Sequence, residues 1–313
     1  MASIGWKLSI ADLTLVHAIA EDGSLSRAAA RLNYSQPTAS HHLASLERRV
    51  GGRIAHRNGR GTALTELGAV VAGHAVRMLD EMRVIEREVE RHVEHGALTF
   101  RMGTFPSAGA ALLAPALTRL RESGFETIVT EAETPELQAA LRSGDLHAIV
   151  AYHNPGAAFT PRDDVEVAPL MADEAVILMP EQHPLAHSRE LRLSDLNDAT
   201  WASGADDTDV LHFMFLHSCW AQGFEPRIAY RVNDYVMIQS LVRQGLCVAV
   251  VPRLGTFAMV DGVVARPIAG QRITRLLFYA FRRSVAQVAS AAALAELRAS
   301  VGAMAAAGID VEP

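Results

Sequence analysis

The sequence predicts an N-terminal all-α winged helix-turn-helix, a long linker helix and then an α/β body. Two short helical stretches joined by a tight turn precede an Asn-Gly hairpin signal. A proline-free amphipathic stretch follows, and beyond Gly96 strand-like and helical runs alternate. With 313 residues, half of them hydrophobic, the chain is long enough for two or three such units.

Charge is distributed unevenly along the chain. The net charge is −6, yet residues 1–65 hold eight basic and four acidic side chains, which makes them +4 and the remainder −10. A basic end on an acidic chain indicates that the first segment faces nucleic acid. There are two cysteines, no run of eighteen apolar residues and no signal-peptide pattern at the N-terminus. We therefore expect a cytoplasmic protein without a disulfide or a membrane span.

The helix-turn-helix is predicted from its caps. Ser24 can cap a helix running to Leu32, and Ser35 can cap the next helix, with Pro37 in its first turn and a stop near residues 51–52. Short polar groups at the start of the second helix can reach bases in a DNA groove. An ordinary solvated face is the alternative for its two adjacent histidines, which do not share a helix face and so are poor metal ligands. The candidate DNA contacts are Arg31, Ser35, Gln36, Thr38, Ser40, His41 and His42, with Arg57 and Arg60 on the hairpin tip lying across phosphates.

The linker helix is predicted from residue 66 to about residue 95, where no proline occurs. Its apolar residues alternate in spacing between four and three, as in a coiled-coil seam. One alternative is a long helix that lies on its own domain; the other, which we favour, is a dimerisation helix that pairs two DNA-binding domains. The seam residues are Val71, Ala75, Met78, Met82, Ile85 and Val89.

The body is predicted to contain parallel sheets with both faces covered, because strands alternate with helices. The predicted strands are 98–103, 127–131, 148–152, 174–179, 247–251 and 275–281, and the predicted helices are 109–121, 135–143, 234–244 and 286–301. Ligands of such sheets bind beyond the carboxyl ends of the strands.

The stretch GSLSRAAARLNYSQPTASHHLASLERRVG, followed by LTELG, resembles the LysR-type transcriptional regulators. The runs FRMGTFPSAGAALLAPAL, HPLA followed by LSDL, and LVRQGLCVAVVP resemble the effector-binding domain of the same family, which is similar to periplasmic binding proteins. The resemblance covers nearly the whole chain. It implies a winged helix-turn-helix over 1–65, a linker over 66–97 and an effector domain over 98–313, in which 98–162 with 267–313 form one subdomain and 163–266 the other.

The resemblance also implies an effector site between the two subdomains, for an unidentified ligand such as a small carboxylate. The candidate residues are Ser107, Ala108, Thr134, Trp201 and Ser203. Ser107 could instead only cap its helix, and Trp201 is otherwise a good core residue. Two positions of the effector domain depart from the family pattern: His147 stands where Asp is usual, and Cys247 where Gly is common.

Three rival functions are weighed against this interpretation. No sequence pattern of a hydrolase, metalloprotease, phosphate-binding loop or redox pair is present, so we predict no catalytic residue, metal or cofactor. A solute receptor does not explain the basic N-terminus, and a purely architectural DNA-binding protein leaves the long α/β body unexplained. The resemblance implies promoter DNA, a small-molecule effector, a second copy of the chain (as a homodimer or homotetramer) and RNA polymerase as partners.

Overall fold

The structure is a computed structural model that describes residues 8–58, 61–95, 99–153, 159–205, 209–270, 272–283 and 287–306, without the side chains of 57–58, 87–88 and 90–95. The chain forms two compact units, Met1–Gly96 and Ala97–Pro313. Each unit is considered by itself below.

The first unit is the predicted winged helix-turn-helix and its long helix. Its elements are α1 (Ile10–Asp22), α2 (Leu25–Arg31), α3 (Gln36–Val50), β1 (Ala55–Asn58), β2 (Gly61–Leu64) and α4 (Glu66–His95). The predicted caps are confirmed: the Ser24 side chain accepts from the Arg27 N–H, and the Ser35 side chain accepts from the Thr38 N–H. The turn between α2 and α3 places Asn33 at φ 57°, a left-handed conformation that Asn tolerates better than most residues.

A close approach of backbone explains the glycine of the LTELG motif. The hairpin of β1 and β2 is antiparallel, with Ala55 opposite Leu64. Thr65 ends the hairpin: its hydroxyl donates to the Arg53 carbonyl at 2.6 Å and accepts from the Gly68 N–H at 3.1 Å. A Cβ on Gly68 would lie 2.0 Å from the carbonyl oxygen of Ile54, so only glycine fits there.

The second unit is a mixed α/β domain. Its strands are β3 (Phe100–Thr104), β4 (Thr127–Glu131), β5 (Ala148–Tyr152), β6 (Val165–Pro180), β7 (Thr200–Ser203), β8 (Arg227–Arg231), β9 (Val248–Pro252), β10 (Val263–Pro267) and β11 (Thr274–Arg282). Its helices are α5 (Pro106–Ala108), continued by a π-turn (Gly109–Leu113) and α6 (Ala114–Glu122), then α7 (Thr134–Ser143), α8 (Val210–Ala221), α9 (Tyr235–Arg243) and α10 (Gln287–Ala306), with short 3₁₀ turns at Leu193–Leu196 and Arg253–Thr256.

The long strand β6 belongs to both halves of this domain. Its first part pairs with β11, in the order β4-β3-β5-β11-β6, and its last part pairs with β9 and β10, with β7 and β8 beyond β9. The change of partner falls between Glu174 and Ala175, about a dozen residues later than the crossing expected near residue 162. The return crossing, expected near residue 266, falls between β10 and β11.

The expectation of parallel sheets was wrong for the centre of the domain. β11 lies antiparallel to both β5 and β6, whereas β3, β4 and β5 are parallel, as are β7, β8 and β9. β6 also begins nine residues before the predicted strand, and it contains a bulge at Leu170, next to Pro169, which lies opposite Phe278. α8 was not predicted, because its residues are apolar on nearly every side and show no helical periodicity.

One described helix, Gln287–Ala306, is long and apolar enough to cross a membrane. In the structure it packs on the core of the second unit through Ala293, Leu297 and Val301. Arg119 of α6 also donates to the Ser300 hydroxyl at 2.7 Å. These contacts account for its apolar face as a core helix.

Gly68→Ala should destabilise the first unit, because the new methyl group would meet backbone that cannot turn away. We expect a loss of about 1–3 kcal/mol in the free energy of unfolding. Gly73→Ala, on the same helix and with open space around it, is the matched control and should stabilise by about 0.5–1 kcal/mol. Urea unfolding of the full chain, followed by circular dichroism, compares the two; equal effects would contradict the close approach.

Candidate DNA interface and candidate effector cleft

One face of α3 is exposed and polar. Ala39 and Leu46 point into the core. Thr38, His41 and Arg48 are exposed. His41 follows Thr38 by three residues and Arg48 follows His41 by seven, so the three side chains lie on one side of the helix. Thr38 and His41 were predicted as DNA contacts, and the structure adds Arg48 to the same face. Sequence reasoning had counted Arg48 only as charge, although its spacing from His41 could have placed it there.

The other candidates at the start of α3 have different positions. Ser35 and Gln36 are exposed, and Ser40 is half-buried. The Ser35 hydroxyl caps the helix and lies 2.7 Å from the Thr38 hydroxyl. The two hydroxyls therefore form one polar group at the helix N-terminus, where the helix dipole favours a phosphate.

His42 is turned inward, toward a buried carboxylate of α1. Asp12 is fully buried, and its Oδ1 lies 3.5 Å from His42 Nε2. Its Oδ2 accepts from Arg49 Nη2 at 2.6 Å and from the Ser9 N–H at 2.8 Å. The structure thus gives His42 a role in holding α3 on α1, and its neighbour His41 carries the exposed imidazole.

Arg31 is engaged by acids of its own domain. Its guanidinium pairs with the Glu21 carboxylate, and its Nε lies 3.3 Å from Asp22 Oδ2. The hydrogen bond from Arg31 lowers the pKa of Glu21. The positive charge of Arg31, a predicted DNA contact, is therefore neutralised by acidic residues of its own domain.

The hairpin is fixed to α3 by a carboxylate. Glu47 Oε1 accepts from the Ile54 N–H at 2.9 Å and from the Ala55 N–H at 3.4 Å. The Thr62 N–H also donates to the Gly23 carbonyl at 3.0 Å. The side chain of Arg57, and the whole of Arg60, lie outside the described residues.

The predicted seam of α4 divides into two parts. Val71 and Ala75 are buried against α1, in a cluster with Leu13 and Val16, so these two side chains pack within the domain instead of facing a partner. Met78, Ile85 and Val89 are exposed, and Met82 is half-buried. Leu67 and Val70 are further apolar side chains exposed on the first turns of α4.

The predicted effector residues are all buried in the second unit. Ala108 and Trp201 lie in the core, where the Trp201 ring centroid is 4.9 Å from that of Phe215. Trp201 is thus a core residue, as its alternative interpretation held. Ser203 Oγ lies 2.8 Å from His212 Nδ1. Ser107 and Thr134 carry hydroxyls in the first turns of α5 and α7, which follow β3 and β4.

The structure brings Ser107 together with a buried ion pair that sequence reasoning missed. Arg275 is 5% exposed, and its Nη2 donates to Asp173 Oδ2 at 2.6 Å and to Ser107 Oγ at 3.1 Å. The two charged residues face each other across β11 and β6. The guanidinium carbon lies 5.0 Å from the ring centres of both Phe105 and Tyr152.

The positive charge of Arg275 acts on groups from both halves of the domain. Burial opposes the charge of Arg275, but Asp173 outweighs it and raises the pKa of the guanidinium. Burial raises the pKa of Tyr152 to about 12, against the attraction of Arg275. The pKa of Tyr235, at the start of α9, is raised for the same reason. These residues define a candidate effector cleft: Ser107, Tyr152, Asp173, Tyr235 and Arg275.

Two family models match the chain. The model described as "Bacterial regulatory helix-turn-helix protein, lysR family" matches residues 10–69, and "LysR substrate binding domain" matches residues 94–301. The chain belongs to the LysR family. It is a transcriptional regulator with a helix-turn-helix DNA-binding domain and a substrate-binding domain, and not an enzyme.

Relatives and solved structures agree with this assignment. The small neutral protease regulatory protein of Streptomyces coelicolor is 32% identical over 251 residues, which cover 78% of this chain and 73% of that protein. The H₂O₂-bound OxyR mutant of Corynebacterium glutamicum has a TM-score of 0.56 at 22% identity, covering 97% of both chains. CbnR in complex with its target DNA has a TM-score of 0.52 at 21% identity, covering 94% of this chain and 99% of that one.

The two positions of the second unit that depart from the LysR pattern, His147 and Cys247, are both buried. His147 is 1% exposed, and its Nδ1 accepts from the Arg101 N–H at 3.2 Å, so the imidazole serves the join between β3 and β5. Cys219 and Cys247 are free and buried. Burial raises the pKa of the Cys219 thiol to about 12 and that of the Cys247 thiol to about 11, which disfavours the reactive thiolate.

Asp12→Asn should lower the stability of the DNA-binding domain in a pH-dependent way. Burial opposes ionisation of Asp12, but the hydrogen bonds from Ser9 and Arg49 outweigh it and lower the pKa below its ordinary value of 3.8. This ionised group therefore stabilises the fold above about pH 4, and the contribution is lost as pH falls through the lowered pKa.

Thermal unfolding of both proteins between pH 3 and pH 7 measures the effect. The gap between wild type and Asp12→Asn should be about 1–3 kcal/mol near neutrality and should shrink below pH 4. Asp80→Asn removes the partner of the exposed Arg83 at 3.0 Å and serves as control, with an effect of about 0.5 kcal/mol or less. A gap that does not depend on pH would rule out the charged pairing.

Proposed function

We propose that this LysR-family chain binds promoter DNA as a homo-oligomer and changes its action when a small molecule occupies the cleft around Arg275. One observation carries the DNA part of the proposal: α3 presents Thr38, His41 and Arg48 on a single exposed face while acids behind it hold the helix in place. The structure of CbnR in complex with its target DNA supports the proposal that this domain binds DNA.

The proposed DNA contacts divide by chemistry. Thr38, His41 and Gln36 have side chains that can hydrogen-bond to base edges, and we propose that they read the DNA sequence. Arg48, with Arg57 and Arg60 of the hairpin, would neutralise phosphates and add affinity for any duplex. His42 and Ser40 would act behind this face, and Arg31 would need to exchange Glu21 for a phosphate.

The proposed oligomer uses α4. Met78, Met82, Ile85 and Val89 continue the alternating spacing of four and three, and three of them are exposed on this single chain. Pairing through them would remove apolar surface from water and place two DNA-binding domains on one operator. We propose that the basic unit is a dimer, which acts either alone or as half of a tetramer. We also propose that this oligomer acts on RNA polymerase in the cytoplasm.

We propose that the effector binds through non-covalent contacts and that the response does not require oxidation of a cysteine thiol. Two relatives are named hydrogen peroxide-inducible genes activators, and one of them, the protein of Dickeya chrysanthemi, is 26% identical over 250 residues. In this chain both cysteines are buried and their thiol pKa values are raised. A ligand that prefers one arrangement of the two halves would shift the population toward it, with β6 and the crossing from β10 to β11 as the hinge.

Thr38→Ala and His41→Ala should each weaken binding to the operator at the chain's own locus by about 5- to 150-fold, which corresponds to about 1–3 kcal/mol for a lost base contact. Binding to an unrelated duplex should stay unchanged. Arg48→Ala should instead weaken both duplexes alike and reduce the slope of affinity against salt by about 1. Fluorescence anisotropy over a salt series measures all three variants, and operator affinity unchanged in every one of them would refute the recognition face.

Ile85→Glu should weaken self-association about 100-fold, because it would bury an unpaired charge in the seam at a cost of about 3 kcal/mol. Sedimentation velocity over a concentration series gives the dissociation constant. Val288→Glu, which changes an equally apolar side chain exposed on α10, is the matched control and should leave association unaltered. Unchanged association of Ile85→Glu would remove the seam from the proposal.

A further inference from the structure

One oxygen of a buried carboxylate in the DNA-binding domain accepts no hydrogen bond. Asp12 of α1 is fully buried, and its Oδ2 accepts from the Ser9 N–H at 2.8 Å, from the Ser9 hydroxyl at 2.7 Å and from Arg49 Nη2 at 2.6 Å. Its Oδ1 is equally buried and has no hydrogen-bond donor among the described residues. Buried polar atoms are nearly always paired, so Oδ1 requires a donor in the working state of the domain.

The imidazole of His42, on α3, faces this oxygen. His42 Nε2 lies 3.5 Å from Asp12 Oδ1, longer than the roughly 3 Å of an ordinary N–H···O hydrogen bond. The His42 side chain is 28% exposed, so water can exchange protons with it. A protonated imidazole carries a donor on each nitrogen, and its charge-assisted bonds to carboxylates are shorter and roughly twice as strong as neutral ones. Protonation of His42 would therefore draw the two groups together and give Oδ1 its donor.

The other charged and titratable groups around His42 leave this pairing open. Tyr34, in the turn before α3, has its ring centre 6.1 Å from that of the imidazole. Arg49, two turns further along α3, donates to Oδ2, and a carboxylate can accept on both oxygens at once. In the part of the chain that the structure describes, no hydrogen bond or ion pair joins the imidazole to α2, and Arg31 of that helix is engaged with other acids.

We propose that His42 is a proton-dependent positioning residue, and that operator binding strengthens as pH falls from about 8 to about 5.5, the range in which imidazoles ordinarily change charge. Asp12 is ionised throughout this range, because its hydrogen bonds hold its pKa below the ordinary value of 3.8. The charged pair therefore contributes fully at the acid end of the range, and the contribution is lost as the imidazole deprotonates toward the alkaline end.

The pairing fixes the helix that is proposed to meet DNA. His42 directly follows His41 of the exposed face, and Asp12 holds α3 from the side of α1. Hydrogen bonds to bases require a fixed geometry, whereas attraction to phosphates tolerates a loosely held helix. Protonation of His42 should therefore raise the affinity for the operator more than the affinity for an unrelated duplex. This inference rests on the proposed function, since it assumes that α3 reads the operator.

A pH series on the full-length protein tests the proposal. Fluorescence anisotropy at constant ionic strength gives the affinity for the operator of the chain's own locus and for an unrelated duplex. We expect the ratio of the two affinities to rise by about 3- to 10-fold from the alkaline to the acid end of the series. His42→Gln and His42→Arg both remove the titratable group, so each should give a ratio that does not change with pH. If His42→Gln fails to fold, His42→Arg decides alone.

His17→Gln is the matched control. His17 Nε2 lies at the same distance, 3.5 Å, from Glu21 Oε1, but that carboxylate is half exposed and belongs to the same helix as the imidazole. This substitution should leave the pH profile of operator binding as it is in the wild type. His41 is present in all of these proteins, so titration of its exposed imidazole contributes equally to each profile.

Thermal unfolding without DNA separates this inference from the proposed function. The Tm of the wild type should exceed that of the folded glutamine or arginine variant with the flat profile, His42→Gln where it folds, by a margin that grows by about 2 °C or more toward the acid end. Three outcomes would overturn the proposal: a wild-type ratio that does not change with pH, a profile that the His42 variants share with the wild type, or a Tm margin over His42→Gln that is independent of pH. Absence of operator binding at every pH would refute the proposed function instead, and the Tm margin would still decide whether the proton pairs His42 with Asp12.

Discussion

The structure of the second unit depends on the buried ion pair between Arg275 and Asp173. Asp173 lies on β6 two residues before this strand leaves β11 for β9 and β10. Two buried opposite charges are tolerated only when each is paired and hydrogen-bonded. The pair therefore fixes the register of β11 on β6 at the crossing, and through Leu254 and Ser107 it contacts both halves of the domain.

In the DNA-binding domain, carboxylates hold the structural elements together, as the Arg275 guanidinium does in the second unit. Asp12 and Glu47 both act from behind the exposed face of α3: the first holds Arg49, and the second holds the hairpin. A recognition helix must present its side chains in a fixed geometry, since a displacement of about 1 Å removes a hydrogen bond to a base. The exposed polar face of α3 is small, and Asp12, Glu47 and Arg49 hold it in position.

Residues of α4 that belong to one spacing pattern differ in their solvent exposure. Val71 and Ala75 have the same spacing as Met78 and Ile85, yet α1 covers the first two and leaves the others open. One amphipathic stripe thus serves two purposes along its length, first as part of a domain core and then as an apolar surface suited to a second helix.

The motifs of the sequence by themselves carried the LysR assignment, and the sequence also determined the local features, which are the Ser24 and Ser35 caps and the turn at Asn33. These depend on interactions between residues a few positions apart, which a linear pattern records. Only the tertiary structure decided that His42 turns inward, that Trp201 is a core residue and that Arg275 meets Asp173. Those contacts join residues up to about a hundred positions apart, and strand register, which the hydrophobic pattern leaves open in a strand buried on both faces, sets which side chains meet.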